Sequence, residues 1–368
     1  MKSLIDSALA SVEEEHTKSS PDAIRAFTAE DEELQRILHD LRTNIKIIGC
    51  GGGGCNTINR LAEAGIVGAE LYAANTDAQH LLMTKAPHKI LLGRRVTKGL
   101  GAGALPQVGE EAAREAEEEL KIALKDADVI FVTCGLGGGT GTGSAPLIAQ
   151  IAKEQGALAI CMCTYPFKAE GIIRAENADW GLDRLRNVAD TVIVIPNDKL
   201  IELVPKLSLN AAFKVADEVL MRAIKGITEI VTKPGLVNLD FNDIRTVMKA
   251  GGVAMIGLGE SDDDDRAVAA VTEAINSPLI ELDISQATAA LVNVTGGSSM
   301  TVKEAEEVAQ IIQSKISANA RIIWGAAVDE TLDETMRVMV VITGVKSKHI
   351  FGPSKDKKGK ELGLDFIK

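Results

Sequence analysis

Aromatic residues are scarce in this sequence of 368 residues, which contains seven Phe, two Trp and two Tyr. The chain also lacks a positive balance, because 40 Lys and Arg stand against 52 Asp and Glu and leave a formal charge of −12. Proteins that grip nucleic acids use basic surfaces against the phosphates and aromatic side chains against the bases. We therefore expect no nucleic-acid partner.

Long apolar runs are missing as well, since no stretch approaches the roughly 20 residues that a membrane-spanning helix requires. We expect no direct membrane insertion, so any membrane connection must run through a partner. The N-terminus has no basic flank followed by an apolar stretch, which a signal peptide would have. Five cysteines form an odd count without the spacing of a disulfide framework. Together these features indicate a cytoplasmic protein.

Two of the cysteines, Cys161 and Cys163, would share one face of a strand and could in principle chelate a metal. No cluster of histidines accompanies them in the sequence. We interpret both as small core residues and expect no metal ligands among the side chains.

The sequence pattern divides the chain into five parts. Residues 1–44 carry ten acidic and five basic side chains, which predicts a mobile extension. Short apolar runs then alternate with helical patterns over residues 45–209, which is typical of a Rossmann-like α/β domain with a parallel sheet. A long helical pattern over residues 210–232 suits a strut that crosses about 30 Å. Residues 233–345 predict four strands and two helices of a smaller α+β domain, and residues 346–368 predict a flexible tail.

Glycine is abundant, with 34 residues, and its first cluster, Gly49–Gly54, lies between a predicted strand and a predicted helix. Unpaired backbone N–H groups and the helix dipole at such a junction attract phosphate. The cluster also satisfies GxGxxG, with Asp77 at 23 residues past Gly54, as in a dinucleotide-binding fold. A nicotinamide-dependent dehydrogenase and a plain tight turn therefore remain alternatives at this point.

The second cluster, Gly135–Ser144, places six glycines and three hydroxyl side chains at another strand-to-helix junction. Its backbone and its hydroxyls could form a second anion nest, and Pro146 is expected in the first turn of the following helix. A third cluster, Gly99–Gly103, could close over the end of a phosphate chain. One dinucleotide does not need three such clusters, and no G-x-x-x-x-G-K-[ST] motif is present. The pattern indicates a triphosphate held mainly by backbone dipoles.

The string GGGTGTG, preceded by GCGGGGCN and NTDAQ and followed by PND and NLDFND, resembles the motifs of the FtsZ family, the prokaryotic relatives of tubulin. The resemblance extends from about Ile45 to Val345. It implies a tubulin/FtsZ fold and a self-assembling GTPase of the cell-division ring, which binds GTP and GDP with Mg²⁺ held through phosphates and water. Position by position, it implies a nucleotide site composed of Gly51, Gly52, Gly53, Gly54, Asn56, Asn75, Asp77, Gly101, Ala102, Gly103, Gly137, Gly138, Gly139, Thr140, Gly141, Thr142, Glu170, Arg174, Asn197, Phe213 and Asp217.

The proposed contact of Asp217 is chemically sensible. Guanine presents N1–H and a 2-amino group side by side, and one carboxylate can accept hydrogen bonds from both, whereas adenine offers no such pair. From spacing alone a solvated helix carboxylate is an equal alternative, and the resemblance favours the base contact.

Catalysis needs a group that orients the attacking water, yet no histidine lies in the three glycine clusters. The segment NLDFND contains Asn238, Asp240 and Asp243, which resemble the family's catalytic loop. A helix N-cap followed by an acidic first turn is the alternative interpretation. The resemblance implies that this loop reaches the nucleotide of the next subunit, which produces head-to-tail filaments. A non-hydrolysing tubulin-like regulator is a further alternative.

The resemblance also implies a position at the mid-cell division site and a tail that docks on membrane-anchor or division proteins. The segment 362–367, LGLDFI, does not match the common bacterial form of that docking peptide. We expect it to serve as a docking motif on a Lys-rich tether, with the partner left unidentified.

Overall fold

Ten strands form one sheet in the computed structural model, which describes residues 43–203, 208–232, 237, 240–249, 252–280 and 284–344. The order of the strands is β3-β2-β1-β4-β5-β6-β7-β10-β8-β9. Most of the predicted N-terminal extension and tail lies outside the described residues, as does Asn238. The strands are β1 Ile45–Cys50, β2 Ala69–Asn75, β3 His88–Leu91, β4 Val129–Gly135, β5 Leu158–Tyr165, β6 Thr191–Pro196, β7 Gly252–Ser261, β8 Ala289–Gly296, β9 Arg321–Val328 and β10 Met336–Thr343.

Eleven α-helices are described, and none of them is long and apolar enough to cross a membrane. They are α1 Gly51–Glu63, α2 Ala78–Met83, α3 Pro106–Glu115, α4 Glu117–Leu124, α5 Thr140–Glu154, α6 Ile172–Val188, α7 Asn197–Leu203, α8 Leu209–Thr232, α9 Phe241–Lys249, α10 Arg266–Ile275 and α11 Val302–Lys315.

The parallel sheet expected for the first half is confirmed, since all pairings among β1 to β6 are parallel. Its strands are almost continuously apolar because helices cover both faces. The second half is mixed: β10 runs antiparallel to β7 and β8, while β8 and β9 are parallel. The sheet is continuous through Thr191–Ile193 of β6, which pair with the start of β7. The proposed domain boundaries remain a prediction.

The central helix α8 follows the expected range closely. Its apolar side chains Ala216, Ala223, Ile224 and Ile227 are buried, and it packs on α1 from the first half of the sheet and on β8 from the second. One helix therefore contacts the elements of both halves.

Three sequence expectations about helices are wrong. The described part of residues 233–345 contains three α-helices, α9, α10 and α11, where the sequence predicts two. The Ala/Glu-rich composition over residues 109–125 predicts one continuous helix, but the structure has two helices, α3 and α4, which meet at Ala116. Pro146 lies in the interior of α5, because that helix already begins at Thr140. The glycines before Pro146 predicted a loop, but tight packing of α5 against α3 selects a helix there: a Cβ on Gly143 would lie 2.0 Å from the Pro106 carbonyl oxygen.

Candidate functional site

A cavity of 350 Å³ opens beside the carboxyl ends of β1, β4 and β5. This is the edge of a parallel sheet at which α/β folds bind ligands. The lining residues combine backbone from the first two glycine clusters with side chains from β5, α6, α7 and α8. They are Cys50, Gly52, Gly53, Asn56, Gly103, Gly135, Leu136, Gly138, Gly139, Thr140, Gly141, Thr164, Pro166, Glu170, Arg174, Asn197, Phe213, Ala216 and Asp217.

The glycines of the first cluster have two different tasks. A Cβ on Gly54 would lie 2.4 Å from the Thr133 carbonyl oxygen, and one on Gly51 would lie 2.7 Å from the Gly141 nitrogen. These two glycines permit the close approach of α1 to its neighbours and do not line the cavity. A Cβ on Gly52 would have no atom within 4 Å, because this residue faces the cavity. The start of α1 thus directs backbone N–H groups and a helix dipole toward the cavity.

The second cluster repeats this arrangement at the start of α5. Gly137 has φ +98°, a conformation that favours glycine, and Gly138 again has open space where a side chain would stand. Gly138, Gly139, Thr140 and Gly141 all line the cavity. Two helix N-termini therefore converge on one cavity, which is suited to more than one phosphate group.

The third cluster is tied to the other loops by hydrogen bonds. The Gly139 N–H donates to the Gly103 carbonyl at 3.0 Å, and the Gly101 N–H donates to the Thr76 carbonyl at 3.1 Å. Thr76 is in turn linked to Thr140, with 2.6 Å between their hydroxyl oxygens. Gly103 lines the cavity, while Gly101 and the buried Ala102 hold the loop beside it. A change at the end of the phosphate chain would thus reach three loops.

Several polar residues of the expected site shape the loops and do not line the cavity. The Thr142 hydroxyl accepts a hydrogen bond from the Gly137 N–H at 2.9 Å, and the Ser144 hydroxyl donates to the Thr140 carbonyl. Asp77 caps α2 by accepting from the His80 N–H at 3.0 Å and does not line the cavity. Asn75 is buried and accepts from the Asp77 N–H.

Residues from α7 and α8 line the part of the cavity away from the glycine clusters. The Phe213 ring contacts Phe167 edge to face with 5.1 Å between centroids and remains 38% exposed, so one face is open to a planar base. Asn197 is buried, and within the described part of the chain its Oδ1 has no hydrogen-bond partner. An unpaired buried acceptor next to a cavity fits a ligand that donates to it.

The charge of the cavity is unusual for a phosphate site. Among its lining residues Arg174 is the one cation, and its guanidinium donates to Glu170 at 2.8 Å. Asp217 is the second carboxylate. Burial raises its pKa to about 6, and the positive charge of Arg60 partly offsets this rise. A phosphate chain in this cavity would therefore have to be bound mainly by backbone dipoles, which is the arrangement that the sequence predicts.

The helix that begins beside the expected catalytic acids contacts the amino ends of the strands, opposite the carboxyl ends at which the cavity lies. Arg245 of α9 donates to the Gly156 carbonyl just before β5, and Thr191 at the start of β6 donates to the Met248 carbonyl of α9. Strand β5 has eight residues, so its first and last Cα atoms stand about 23 Å apart at about 3.3 Å per residue. The helix that carries Asp243 therefore contacts the end of the sheet remote from the cavity.

Asp240 immediately precedes α9 and accepts a hydrogen bond from the Asn242 N–H at 3.1 Å. This is the N-cap arrangement that the sequence left open. Both Asp240 and Asp243 are exposed, so a capping role and a role toward a second molecule are compatible.

Sequence reasoning did not select six lining residues: Cys50, Gly135, Leu136, Thr164, Pro166 and Ala216. Gly135 and Thr164 are direct neighbours in the register of β4 and β5. The rule that ligands bind at the carboxyl ends of parallel strands could have identified both.

Comparisons with known proteins identify similar domains and similar whole chains. Residues 44–205 match the model of the Tubulin/FtsZ family, GTPase domain, and residues 252–346 match the FtsZ family, C-terminal domain. The chain is 57% identical to "Cell division protein FtsZ 1" of Archaeoglobus fulgidus and 55% identical to "Cell division protein FtsZ" of Haloferax mediterranei, with all of both chains covered in each case. The solved "FtsZ dimer, empty (M. jannaschii)" is similar with a TM-score of 0.83 and 50% identity, over 93% of this chain and 100% of that one.

Proposed function

Because the chain belongs to the FtsZ family of tubulin-related cell-division GTPases, we propose that its GTPase centre is divided between two copies of the molecule. One copy binds GTP in the cavity, and the next copy supplies Asp240, Asp243 and Asn238. The comparisons favour a GTPase over a nicotinamide-dependent enzyme.

One observation carries the proposal: the cavity lies at the carboxyl ends of the parallel strands, whereas the segment with the candidate acids contacts their amino ends. Glu170 and Asp217 are the carboxylates among the described lining residues. Glu170 is occupied by Arg174 and by the Phe167 N–H, and Asp217 belongs to the base end. Neither is placed to orient a water molecule at the phosphate end, so that group must come from another molecule.

In the proposed reaction, Asp217 accepts N1–H and the 2-amino group of guanine, and Phe213 stacks on the base. The N-termini of α1 and α5 bind the phosphates, and the loop containing Gly103 closes over their end. Acids of the next copy then orient the water that attacks the γ-phosphate. Stabilisation of the transferred phosphoryl group falls to backbone N–H groups that are already in position.

Mg²⁺ is proposed to accompany the nucleotide. Among the described residues no three His, Cys, Asp or Glu side chains are grouped to hold a metal ion. The residues present therefore fit an ion that would be bound through phosphate oxygens and water. Such an ion neutralises phosphate charge when bound.

Assembly follows from the division of the site. A contact that joins the surface around the cavity of one copy to the surface around α9 of the next is heterologous. Such contacts extend into filaments unless the rotation between copies closes a ring. Exposed apolar side chains near the cavity, Leu100, Leu105, Ile172 and Ile173, supply surface for that contact. Hydrolysis removes the γ-phosphate from the same interface and is expected to weaken it.

Sedimentation with GTP and with GDP, combined with phosphate release, tests the proposal. We expect pelleting with GTP, and we expect the activity per molecule to rise with protein concentration. Specific activity that is unchanged on dilution would contradict a shared site. Filaments without phosphate release would instead support the non-hydrolysing regulator.

We also propose that the tail recruits a membrane-anchor or division protein at the division site, although residues 346–368 lie outside the described part of the chain. Removal of residues 354–368 is expected to abolish recruitment while GTP hydrolysis persists. A fluorescent fusion that still reaches the division site after this truncation would contradict the docking role.

A further inference from the structure

Three cysteines form a row beneath the candidate nucleotide cavity. In the register of the sheet Cys50 of β1 pairs with Cys134 of β4, and Cys134 pairs with Cys163 of β5. Side chains of register partners in adjacent strands project from the same face, and all three pack in the same apolar cluster. Within the described residues none is exposed or in a disulfide.

Cys134 and Cys163 are already close to bonding distance. Their Sγ atoms lie 3.5 Å apart, whereas a disulfide has about 2.05 Å between its sulfurs. Adjacent strands stand about 4.8 Å apart, which falls within the Cα separations that disulfides span. Only a small movement therefore separates the dithiol from a disulfide.

The pair is coupled to the cavity by direct contact. The residues that follow it, Gly135 and Thr164, line the cavity. A Cβ on Gly141, in the first turn of α5, would lie 3.2 Å from the Cys134 Cβ. Because protein interiors are close-packed, a shift of Cys134 must reach the turn of α5 that faces the cavity.

We propose that Cys134 and Cys163 are a redox-sensitive modification site, in which disulfide formation weakens nucleotide binding in the cavity above. The effect on binding rests on the proposed function, whereas disulfide formation does not. The oxidant is of the peroxide class. Neither sulfur lines the cavity, so peroxide must reach the pair past the adjacent lining residues Cys50, Gly135 and Thr164, and bound nucleotide is expected to shield it.

The chemistry balances with one peroxide molecule. The Cys134 sulfur, after losing its proton, attacks one oxygen of hydrogen peroxide; the O–O bond breaks, the other oxygen leaves as water, and Cys134 becomes a sulfenic acid. The Cys163 sulfur then attacks the oxidised sulfur, the S–S bond forms, and hydroxide leaves as water with the Cys163 proton. Two thiols lose two electrons, which the peroxide gains.

The test uses the full-length reduced protein, treated with hydrogen peroxide with and without GTP. Mass mapping of an unreduced digest is expected to find the Cys134–Cys163 disulfide, formed more slowly when GTP is present. Binding of a fluorescent GTP analogue should weaken about tenfold, and dithiothreitol should restore it.

Cys163→Ala and Cys163→Ser should each abolish the effect of peroxide, the second without a change in side-chain size. Cys161→Ala is the matched control, because Cys161 is buried on the same face of the same strand, and it should leave the response intact. Absence of this disulfide from oxidised folded protein, or a disulfide with unchanged binding, would overturn the proposal. Reduced protein that fails to bind the analogue would contradict the proposed function itself, while the peptide map would still report the disulfide.

Discussion

Gly138 and Gly52 differ from the other glycines of their clusters in what a side chain would meet. Both have open space at the Cβ position, whereas Gly51, Gly54 and Gly139 have backbone atoms within 3 Å of it. A substitution at Gly138 therefore acts on the ligand and leaves the packing unchanged.

Gly138→Asp is expected to abolish GTP binding in a protein that remains folded. The new carboxylate would stand among the N–H groups that bind phosphate and would repel the triphosphate. Equilibrium binding and thermal unfolding measure the two effects. Gly138→Asn, of equal size and without charge, is the control and should retain measurable affinity. Equal loss with both variants would mean that steric exclusion, and no charge effect, blocks the site.

Asp217→Asn is expected to weaken GTP binding at least about tenfold, since a hydrogen bond to a charged group contributes about 1.5 to 3 kcal/mol. An amide offers one acceptor and one donor, which matches N1–H and the 2-carbonyl of xanthine. Binding of XTP should therefore improve in the variant. Competition between GTP and XTP measures the change, and an unaltered preference would exclude Asp217 from base recognition.

The wild-type protein should also bind GTP less tightly as the pH falls through about 6. The pKa of Asp217 is about 6 because burial disfavours its charged form, and only the carboxylate accepts both guanine hydrogens. Asp217→Asn should remove this dependence. Titration between pH 8 and pH 5 checks the prediction, and a parallel fall in both proteins would assign the effect to another group.

At the level of single residues, the sequence identified most of the cavity because repeated glycine strings at strand-to-helix junctions are typical of phosphate-binding loops. It could not separate Gly52 from Gly54, since both occupy one helical turn and only the neighbouring Thr133 carbonyl distinguishes them. Thr142 was likewise indistinguishable from Thr140 until the Gly137 N–H was placed beside it.

Among the elements, α11 shows how one buried cation supports a helix start. Thr301 and Glu304 form a capping box, and the buried Arg266 of α10 donates to Glu304 at 2.7 Å. Arg266 and the Thr301 N–H lower the pKa of Glu304 to about 2. The same guanidinium also binds Ser299 and Glu334, so α10, α11 and the segment before β10 share one ion-pair centre.

Glu304→Gln is expected to lower the free energy of unfolding by about 1 to 3 kcal/mol at neutral pH, since it removes a charged partner of Arg266 but keeps the cap. The folded pKa lies below the ordinary value of 4.5, so the carboxylate stabilises the fold above about pH 4.5 and loses this effect as pH falls toward about 2. The difference between the proteins should shrink accordingly.

Denaturant unfolding at several pH values between 7 and 3.5 measures that difference. Glu306→Gln, at an exposed position of the same helix, is the matched control and should change little. A deficit for Glu304→Gln that is constant across this range would show that the carboxylate charge is not its cause.

Element types were predictable where the hydrophobic period was strong, as in the central helix α8 and the buried strands. The start of α5 was not, because local glycine and proline preferences opposed a helix that tertiary contacts with α3 impose. The break between α3 and α4 at Ala116 also has no turn residue to announce it.

For the whole molecule, the proposed mechanism depends on the separation of the α9 segment from the cavity more than on any single contact. The α9 segment with its acids contacts the amino ends of β5 and β6, whereas the cavity lies at the carboxyl ends of the parallel strands. The sequence could not show that the sheet continues from β6 into β7. Only three pairs of residues join these strands, and no sequence motif marks them.

Asp243→Asn and Asp240→Asn are expected to retain GTP binding and to lose at least about tenfold in phosphate release, since they would remove the groups proposed to orient water. Both substitutions preserve side-chain size, and Asn can still cap α9. Asp264→Asn, an exposed carboxylate elsewhere in the second half, should hydrolyse GTP normally. Normal turnover by either variant would exclude that acid from the reaction.

Mixing two inactive proteins tests the divided site most directly. Asp243→Asn keeps an intact cavity, and Gly138→Asp keeps intact acids, so each copy supplies what the other lacks. At equal amounts, up to about a quarter of random head-to-tail contacts join the intact cavity to the intact acids. We expect the mixture to release phosphate well above the sum of the two separate rates, and a rate equal to that sum would contradict a catalytic centre shared between neighbouring molecules.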